Sequence, residues 1–156
     1  MNQEVSPLYS PFLNFVGTRI EAWSEDFVRI SLKLEPQHLN RSGVVHGGVL
    51  ATLLDHAGGA SGNFCAVEGN ARYSTTVSLN VHFVGQSKTG TVYVTGRRNA
   101  GGRKIFFADS EVRDEAGTLL ATGTSVHRYR SGSEDPSGSP RRREEIEALS
   151  AASRQG

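Results

Sequence analysis

Residues 38–62, HLNRSGVVHGGVLATLLDHAGGASG, constrain this chain more than any other stretch. They open as a polar turn, tighten through glycines and become the one long helical pattern among 156 residues. With about 100 degrees per residue, Gly48, Ala51, Thr52, Gly58, Gly59 and Gly62 fall on the side of Asp55. Val49, Leu50, Leu53, Ala57, Ala60 and Phe64 fall opposite. The helix has an apolar back and a front of small residues around one carboxylate. Each mid-helix glycine costs roughly 1 kcal/mol relative to alanine, so Gly58, Gly59 and Gly62 together cost about 3. Stability alone does not select such a face; it admits a ligand or a second backbone at close range.

His46-Gly47-Gly48 sits where the helix begins. The first N–H groups of a helix have no internal partner, and the dipole adds partial positive charge there. The glycines leave the N–H groups of Gly47 and Gly48 open to an anion or a polarised carbonyl oxygen. Asn40, six residues before His46, can donate and accept hydrogen bonds from a turn. An oxyanion site, a carboxylate and a polar orienting group are parts of an acyl-transfer site.

The pattern Asn40-x-x-Gly43-x-x-His46-Gly47-Gly48 followed by Asp55 resembles the signature of hotdog-fold acyl-CoA thioesterases of the phenylacetate-degradation type, and the resemblance spans about residues 12–129. It implies a long helix wrapped by a curved antiparallel sheet, with two protomers pairing their sheets and active sites between them. Asp55 would come from one protomer, and Asn40, His46 and Gly47 from the other. The implied reaction converts an acyl- or aryl-acyl-CoA to the free acid and CoA. Gly47 N–H would polarise the carbonyl, and Asp55 would act as general base or as nucleophile. Thr76 matches a position where that family carries serine or threonine near the catalytic water. With Asn40 it would organise that water, although threonine is also a good strand residue and asparagine a good turn residue. A homodimer is the minimum assembly, with a homotetramer expected from pairing of dimers, and no metal or redox cofactor is called for.

Other features bound this reading. The length fits one domain, taken as residues 1–130 with 1–16 as an N-terminal segment, and a formal charge of +1 gives no argument for nucleic acid. Cys65 is the sole cysteine, which excludes an internal disulfide; it reads as a buried thiol in the helix after Phe64. No apolar run is long enough for a membrane span, and MNQEVSPLYS lacks a signal-peptide core, so a cytoplasmic protein is expected.

Pro11 in the first turn suggests a short helix over 10–15, ended by Gly17. Alternation predicts strands over 18–23, 27–34, 71–84, 89–99, 104–114 and 119–129. In the third, Tyr73, Thr75, Val77, Leu79, Val81 and Phe83 are read as one face, with Thr76, Ser78 and Asn80 on the polar one. One long helix among antiparallel strands is an α+β layout that suits the hotdog fold. Residues 131–140, SGSEDPSGSP, have a disordered composition, and the sequel RRREEIEALSAASRQG could form a short charged helix. Residues 131–156 are read as a tail without chemistry.

His46 fits a loop-fixing role, or packing beside the thioester sulfur, better than a base role. His56 points about 100 degrees from Asp55 and reads as a surface or interface histidine. His46, Asp55 and His56 diverge too far for a metal site. Arg97, Arg98, Arg103 and Lys104 flank one hairpin turn and suit the phosphates of coenzyme A, against the alternative of a solvated hairpin end. Phe12, Phe15, Leu54 and Phe64 are candidates for an acyl pocket. Two rival functions are a non-catalytic acyl-CoA-binding protein and an enoyl-thioester hydratase or dehydratase. The first leaves Asp55 without purpose; the second needs an Asp–His pair that Asp55 and His56 do not make.

Overall fold

The computed structural model describes residues 10–154, so most of MNQEVSPLYS lies outside the described residues. Helix α1 (Pro11–Val16) begins where the Ser10 hydroxyl accepts the Leu13 N–H, and it ends at Gly17 in a left-handed conformation, φ 94°. Strands β1 (Arg19–Ser24) and β2 (Phe27–Lys33) follow, then a 3-10 turn (Pro36–His38) and helix α2 (Gly47–Gly62). The remaining elements are β3 (Asn70–Ala71), β4 (Ser74–Phe83), β5 (Thr91–Gly101), β6 (Ile105–Arg113), β7 (Leu119–Tyr129), β8 (Ser139–Pro140) and α3 (Arg143–Ser153).

Six strands form one antiparallel sheet in the order β1-β2-β5-β6-β7-β4. Helix α2 lies against β2, β5, β6, β7 and β4, which gives the α+β hotdog fold. Val28, Ile30 and Leu32 of β2, Leu50, Leu53, Leu54 and Ala57 of α2, and Val92, Val94, Val112 and Leu120 from the later strands fill the interface. Each valine, leucine or isoleucine among them contributes about 1.5–3 kcal/mol of burial. Leu54 is therefore a core residue rather than part of an open acyl pocket. Phe12 and Phe15 on α1 stand out in solvent, the latter 82 % exposed.

The glycines of α2 meet the sheet, not an open front. A Cβ on Gly58 would come 2.5 Å from Ser125 Oγ, and one on Gly62 would come 2.4 Å from the buried Phe106 ring. From the other side, a Cβ on Gly96 of β5 would lie 2.1 Å from the Ala57 carbonyl oxygen. Of the two close approaches that the small face permits, the sheet has taken one.

The helix also ends earlier than its periodicity suggests. Trp23 Nε1 donates to Ala60 O at 2.8 Å and Tyr129 Oη donates to Gly62 O at 2.6 Å. Arg72 Nη1 reaches Gly62 O at 3.4 Å. Side chains of neighbouring segments thus satisfy carbonyls that a longer helix would have used itself. Phe64 packs edge-on against Trp23, and Cys65 is half-buried outside the helix with Sγ 3.3 Å from Ser137 O.

The single strand expected over 71–84 is broken. Asn70 and Ala71 pair with β8, whereas β4 pairs with β7 through a bulge between Thr76 and Ser78. The extra residue shifts the phase, so Thr76 faces the helix on the same side as Leu79 and Val81 instead of joining a polar outer face. Residues 131–140 are also unlike their disordered composition. Buried Ser133 accepts the Tyr73 N–H at 2.9 Å, and Arg72 Nε donates to Ser133 O at 3.0 Å. Glu145 of α3 takes hydrogen bonds from Tyr73 and Arg141, so the strap is tied to the body of its own chain.

Candidate active site

At the N-terminus of α2, His46 is the N-cap residue, and its Nδ1 accepts the Gly48 N–H at 2.8 Å. Gly48 therefore spends its N–H inside the chain rather than on a substrate. The Val49 and Leu50 N–H groups both run to His46 O. Gly47 N–H, beside the ring of Phe83, is the donor left over from this turn among the described residues. His46 is thereby a loop-fixing residue, with the lone pair of Nδ1 already engaged.

Asn40 holds the loop that leads into the helix. Its Oδ1 accepts the N–H groups of Ser42 at 2.9 Å and Val44 at 3.3 Å, and its own N–H donates to Val44 O. That is an asparagine-closed turn. The side-chain NH2 remains for a partner beyond the loop.

Two turns along α2, half-buried Asp55 receives the Thr76 hydroxyl on Oδ1 at 2.6 Å. Behind Thr76 lies His127, 1 % exposed, with Nδ1 3.4 Å from Thr76 Oγ1 and Nε2 2.8 Å from Ser125 Oγ. The imidazole stacks on Phe106 with centroids 4.9 Å apart. Burial pushes the His127 pKa down, against the opposing pull of the Asp55 charge. Burial likewise lowers the His56 pKa to about 4, again opposed by Asp55, so both rings are neutral near pH 7.

The basic cluster is divided. Arg97 stacks over Phe27, and Arg98 pairs with Asp26 at 3.5 Å, while Arg103 and Lys104 stand exposed at the hairpin end. Arg98 and Arg103 also line a cavity of about 370 Å³ at the C-terminal end of α2, together with Arg72 and three carboxylates, Glu25, Asp26 and Glu134. Its charges balance, and it opens about 10 Å along the helix from Asp55, at 1.5 Å per residue. No group of three or more His, Cys, Asp or Glu side chains among the described residues is placed to hold a metal ion. No helix among them is long and apolar enough to cross a membrane.

Residues 42–121 match a known family model, the thioesterase superfamily. The chain belongs to the thioesterase superfamily. Among similar proteins of that superfamily, the medium/long-chain acyl-CoA thioesterase YigI of Escherichia coli is 22 % identical over 140 residues, covering 80 % of this chain and 88 % of the relative. Acyl-coenzyme A thioesterase 13 of mouse is 30 % identical over 94 residues, 59 % of this chain and 65 % of the relative. The solved structure of the PaaI protein from the phenylacetic acid degradation operon of E. coli shares the fold with a TM-score of 0.70 at 19 % identity, covering 80 % of this chain and 87 % of that one. This thioesterase-superfamily chain is a thioester hydrolase.

The structure brings Asp55 and Thr76 together and separates Gly47 from both. The sequence reading misses His127 and Ser125. Their signal lies in the inward register of β7, where Ala121, Gly123, Ser125, His127 and Tyr129 are all buried. Two polar side chains in a buried register need partners, and such positions are where a polar network is to be sought.

Proposed function

We propose that this thioester hydrolase cleaves acyl-CoA thioesters in the manner of the phenylacetate-degradation type, with one site made by two chains. The observation that carries the reading is the separation of its two reactive elements. Gly47 N–H and the Asp55 carboxylate lie on one helix, eight residues and so about 12 Å apart. A tetrahedral carbon needs an oxyanion donor and a nucleophile within about 3 Å of its own atoms. One chain cannot supply both; two chains related by a two-fold axis can, each helix giving its N-terminus to one site and its carboxylate to the other.

The edge strand β4 supports that pairing. It presents Val77, Phe83 and the following Val84 to solvent, 57–61 % exposed, and the ring of Phe83 lies where a Cβ on Gly47 would meet it at 3.4 Å. An unpaired, apolar sheet edge is a template for a second strand. In the shared site the Gly47 N–H receives the thioester oxygen. Asp55 of the other chain removes a proton from water as it attacks, or attacks the carbonyl carbon itself; the C–S bond then breaks and CoA leaves as the thiolate, and in the second route water hydrolyses the resulting mixed anhydride to the free acid and the Asp55 carboxylate. The Asn40 NH2 is free to orient water or carboxylate. The substrate class follows the names of the acyl-CoA thioesterase relatives. Lys104 and Arg103, exposed on the hairpin, suit the CoA phosphates.

Free-thiol release from a panel of aryl- and alkyl-CoA thioesters tests the reading, with Asp55→Asn alongside wild type. Turnover should fall at least about a hundredfold in the variant at unchanged melting temperature and particle size. Turnover indifferent to Asp55 would overturn the assignment. A single turnover in heavy-oxygen water bears on the two routes: label found in the Asp55 carboxylate means that a mixed anhydride formed and was opened at the Asp55 carbonyl, whereas direct attack by water labels only the released acid.

A further inference from the structure

We propose that His127 is a positioning residue for hydrolysis: its ring, carrying the proton on Nδ1, donates to the Thr76 hydroxyl and so commits that hydroxyl's single proton to Asp55 Oδ1. The inference rests on the reading of Asp55 as the reacting carboxylate and goes one step behind it, to what fixes that carboxylate.

The polarity of the chain of hydrogen bonds follows from its end. An ionised carboxylate only accepts, so at 2.6 Å the Thr76 hydroxyl is the donor. A threonine has one hydroxyl proton; toward any other neighbour Thr76 Oγ1 can only accept. Its other neighbour is His127 Nδ1 at 3.4 Å, and a hydrogen bond between the two needs the proton on that nitrogen. The opposite assignment, with Thr76 donating to a bare Nδ1, would give up the shorter bond to a charged acceptor for a longer one to a neutral acceptor. Charge-assisted bonds are about twice as strong as neutral ones, so distance and charge choose the same direction. With Nδ1 protonated on a neutral ring, Nε2 is the acceptor, and Ser125 Oγ at 2.8 Å supplies its proton. Every donor from Ser125 to Asp55 thus points the same way.

The ring has little freedom to do otherwise. Phe106 stacks on it at an interplanar angle of 18°, and Gly58 closes the space beside Ser125 Oγ and Nε2, where a Cβ would lie 2.5 and 3.0 Å away. The elements around it present Asp55 from α2, Thr76 from β4 and Phe106 from β6, so Asp55 is the charge that faces it. Burial favours the uncharged ring. The consequence at Asp55 is that Oδ1 is occupied and the carboxylate orientation fixed, which leaves Oδ2 for water or the carbonyl carbon. Such support behind a reacting group resembles the outer-shell partners that orient metal ligands.

Nitrogen NMR of the full chain labelled at its histidines tests the tautomer in the wild type, with the His127 signals assigned from their loss in His127→Asn. A protonated Nδ1 and a bare Nε2 are expected; a proton on Nε2 alone, or a charged ring at pH 7, would overturn the proposal. Kinetics then test the consequence. His127→Phe keeps the stacking and removes both nitrogens, whereas the amide of His127→Asn can still donate to Thr76. The Phe variant should lose about ten- to hundredfold in kcat with KM nearly unchanged, and the acidic limb of its pH–rate profile should move up. The Asn variant should recover most of kcat. A purely structural role would lower the melting temperature of both and leave the limb in place, which would also overturn it. Asp55→Asn, measured in parallel, separates the levels: retained turnover there refutes Asp55 itself, whereas a dead Asp55→Asn beside a fully active His127→Phe refutes only the role of His127.

Discussion

Gly47 occupies the first position of α2, the one place in a helix where proline is welcome. His46 before it has φ −66° and ψ 137°, the extended conformation that a following proline requires. Gly47→Pro would therefore remove one N–H while keeping the helix. The nearest foreign atom to an added Cβ is Phe83 Cε1 at 3.4 Å, a contact that an exposed ring can relieve. If this N–H is the oxyanion donor, kcat should fall about 10²- to 10³-fold with the melting temperature changed by only a few degrees. The two neutral histidines predict a pH effect of definite sign. His56 titrates near 4 in the fold and near 6.5 when unfolded, so the unfolded chain binds more protons between those values. Its contribution is full above about pH 6.5 and is lost as pH falls toward 4, by at most about 3 kcal/mol; His127 acts in the same direction. Denaturant titrations at pH 7 and pH 4.5 should show a smaller loss in His56→Gln than in wild type. Of the candidate site, the helix start at His46-Gly47 was legible because helix entry has its own sequence grammar, and the place of Asp55 because the helical period sets it among small residues. His127 was not, because one imidazole in a strand register carries no mark of what lies across the fold.

At the scale of elements, the glycines of α2 exchange helix propensity for closeness to the sheet. Gly62 is the last residue of α2, so Gly62→Ala gains less than the roughly 1 kcal/mol of an interior position, and it drives a methyl to 2.4 Å from Phe106, which is wholly buried and cannot swing aside. Overpacking of that kind costs typically 1–3 kcal/mol, so the variant should unfold at lower denaturant than wild type despite the better helix former. Periodicity revealed that a small face exists and left open what it faces. Strand β4 illustrates a different limit. Alternation sets Leu79 and Val81 on the inner side, as observed, whereas Phe83, read with them, is exposed. The bulge after Thr76 then inverts the reading, and nothing in Thr-Thr-Val-Ser announces it. Residues 131–140 escaped for a third reason. Serine, glycine and proline suggest disorder, but the segment is held through its backbone carbonyls by Arg72 and Asn70, side chains distant in sequence.

At the scale of the molecule, the proposed two-chain site makes a prediction that no single-chain site shares. Asp55→Asn and Gly47→Pro each disable every site of their own homodimer. Unfolded and refolded together, they should form mixed dimers in which one site combines an intact carboxylate with an intact N–H. Random pairing then restores on the order of a quarter of the wild-type rate. No recovery on mixing, with mixed dimers demonstrated by mass, would place both groups' action within one chain.

The approach of Gly96 to Ala57 bears on how this chain can diverge. The atom that a Cβ would strike at 2.1 Å is a main-chain oxygen of α2, and no choice of side-chain rotamer moves it out of the way. Together with Gly58 and Gly62, it closes the tightest helix–sheet contacts to mutational drift. New specificities must then be reached by changing the rim: the β4 edge, the loop around Asn40 and the hairpin after β5. A lineage descending from this sequence would carry a nearly frozen axle and a variable tyre.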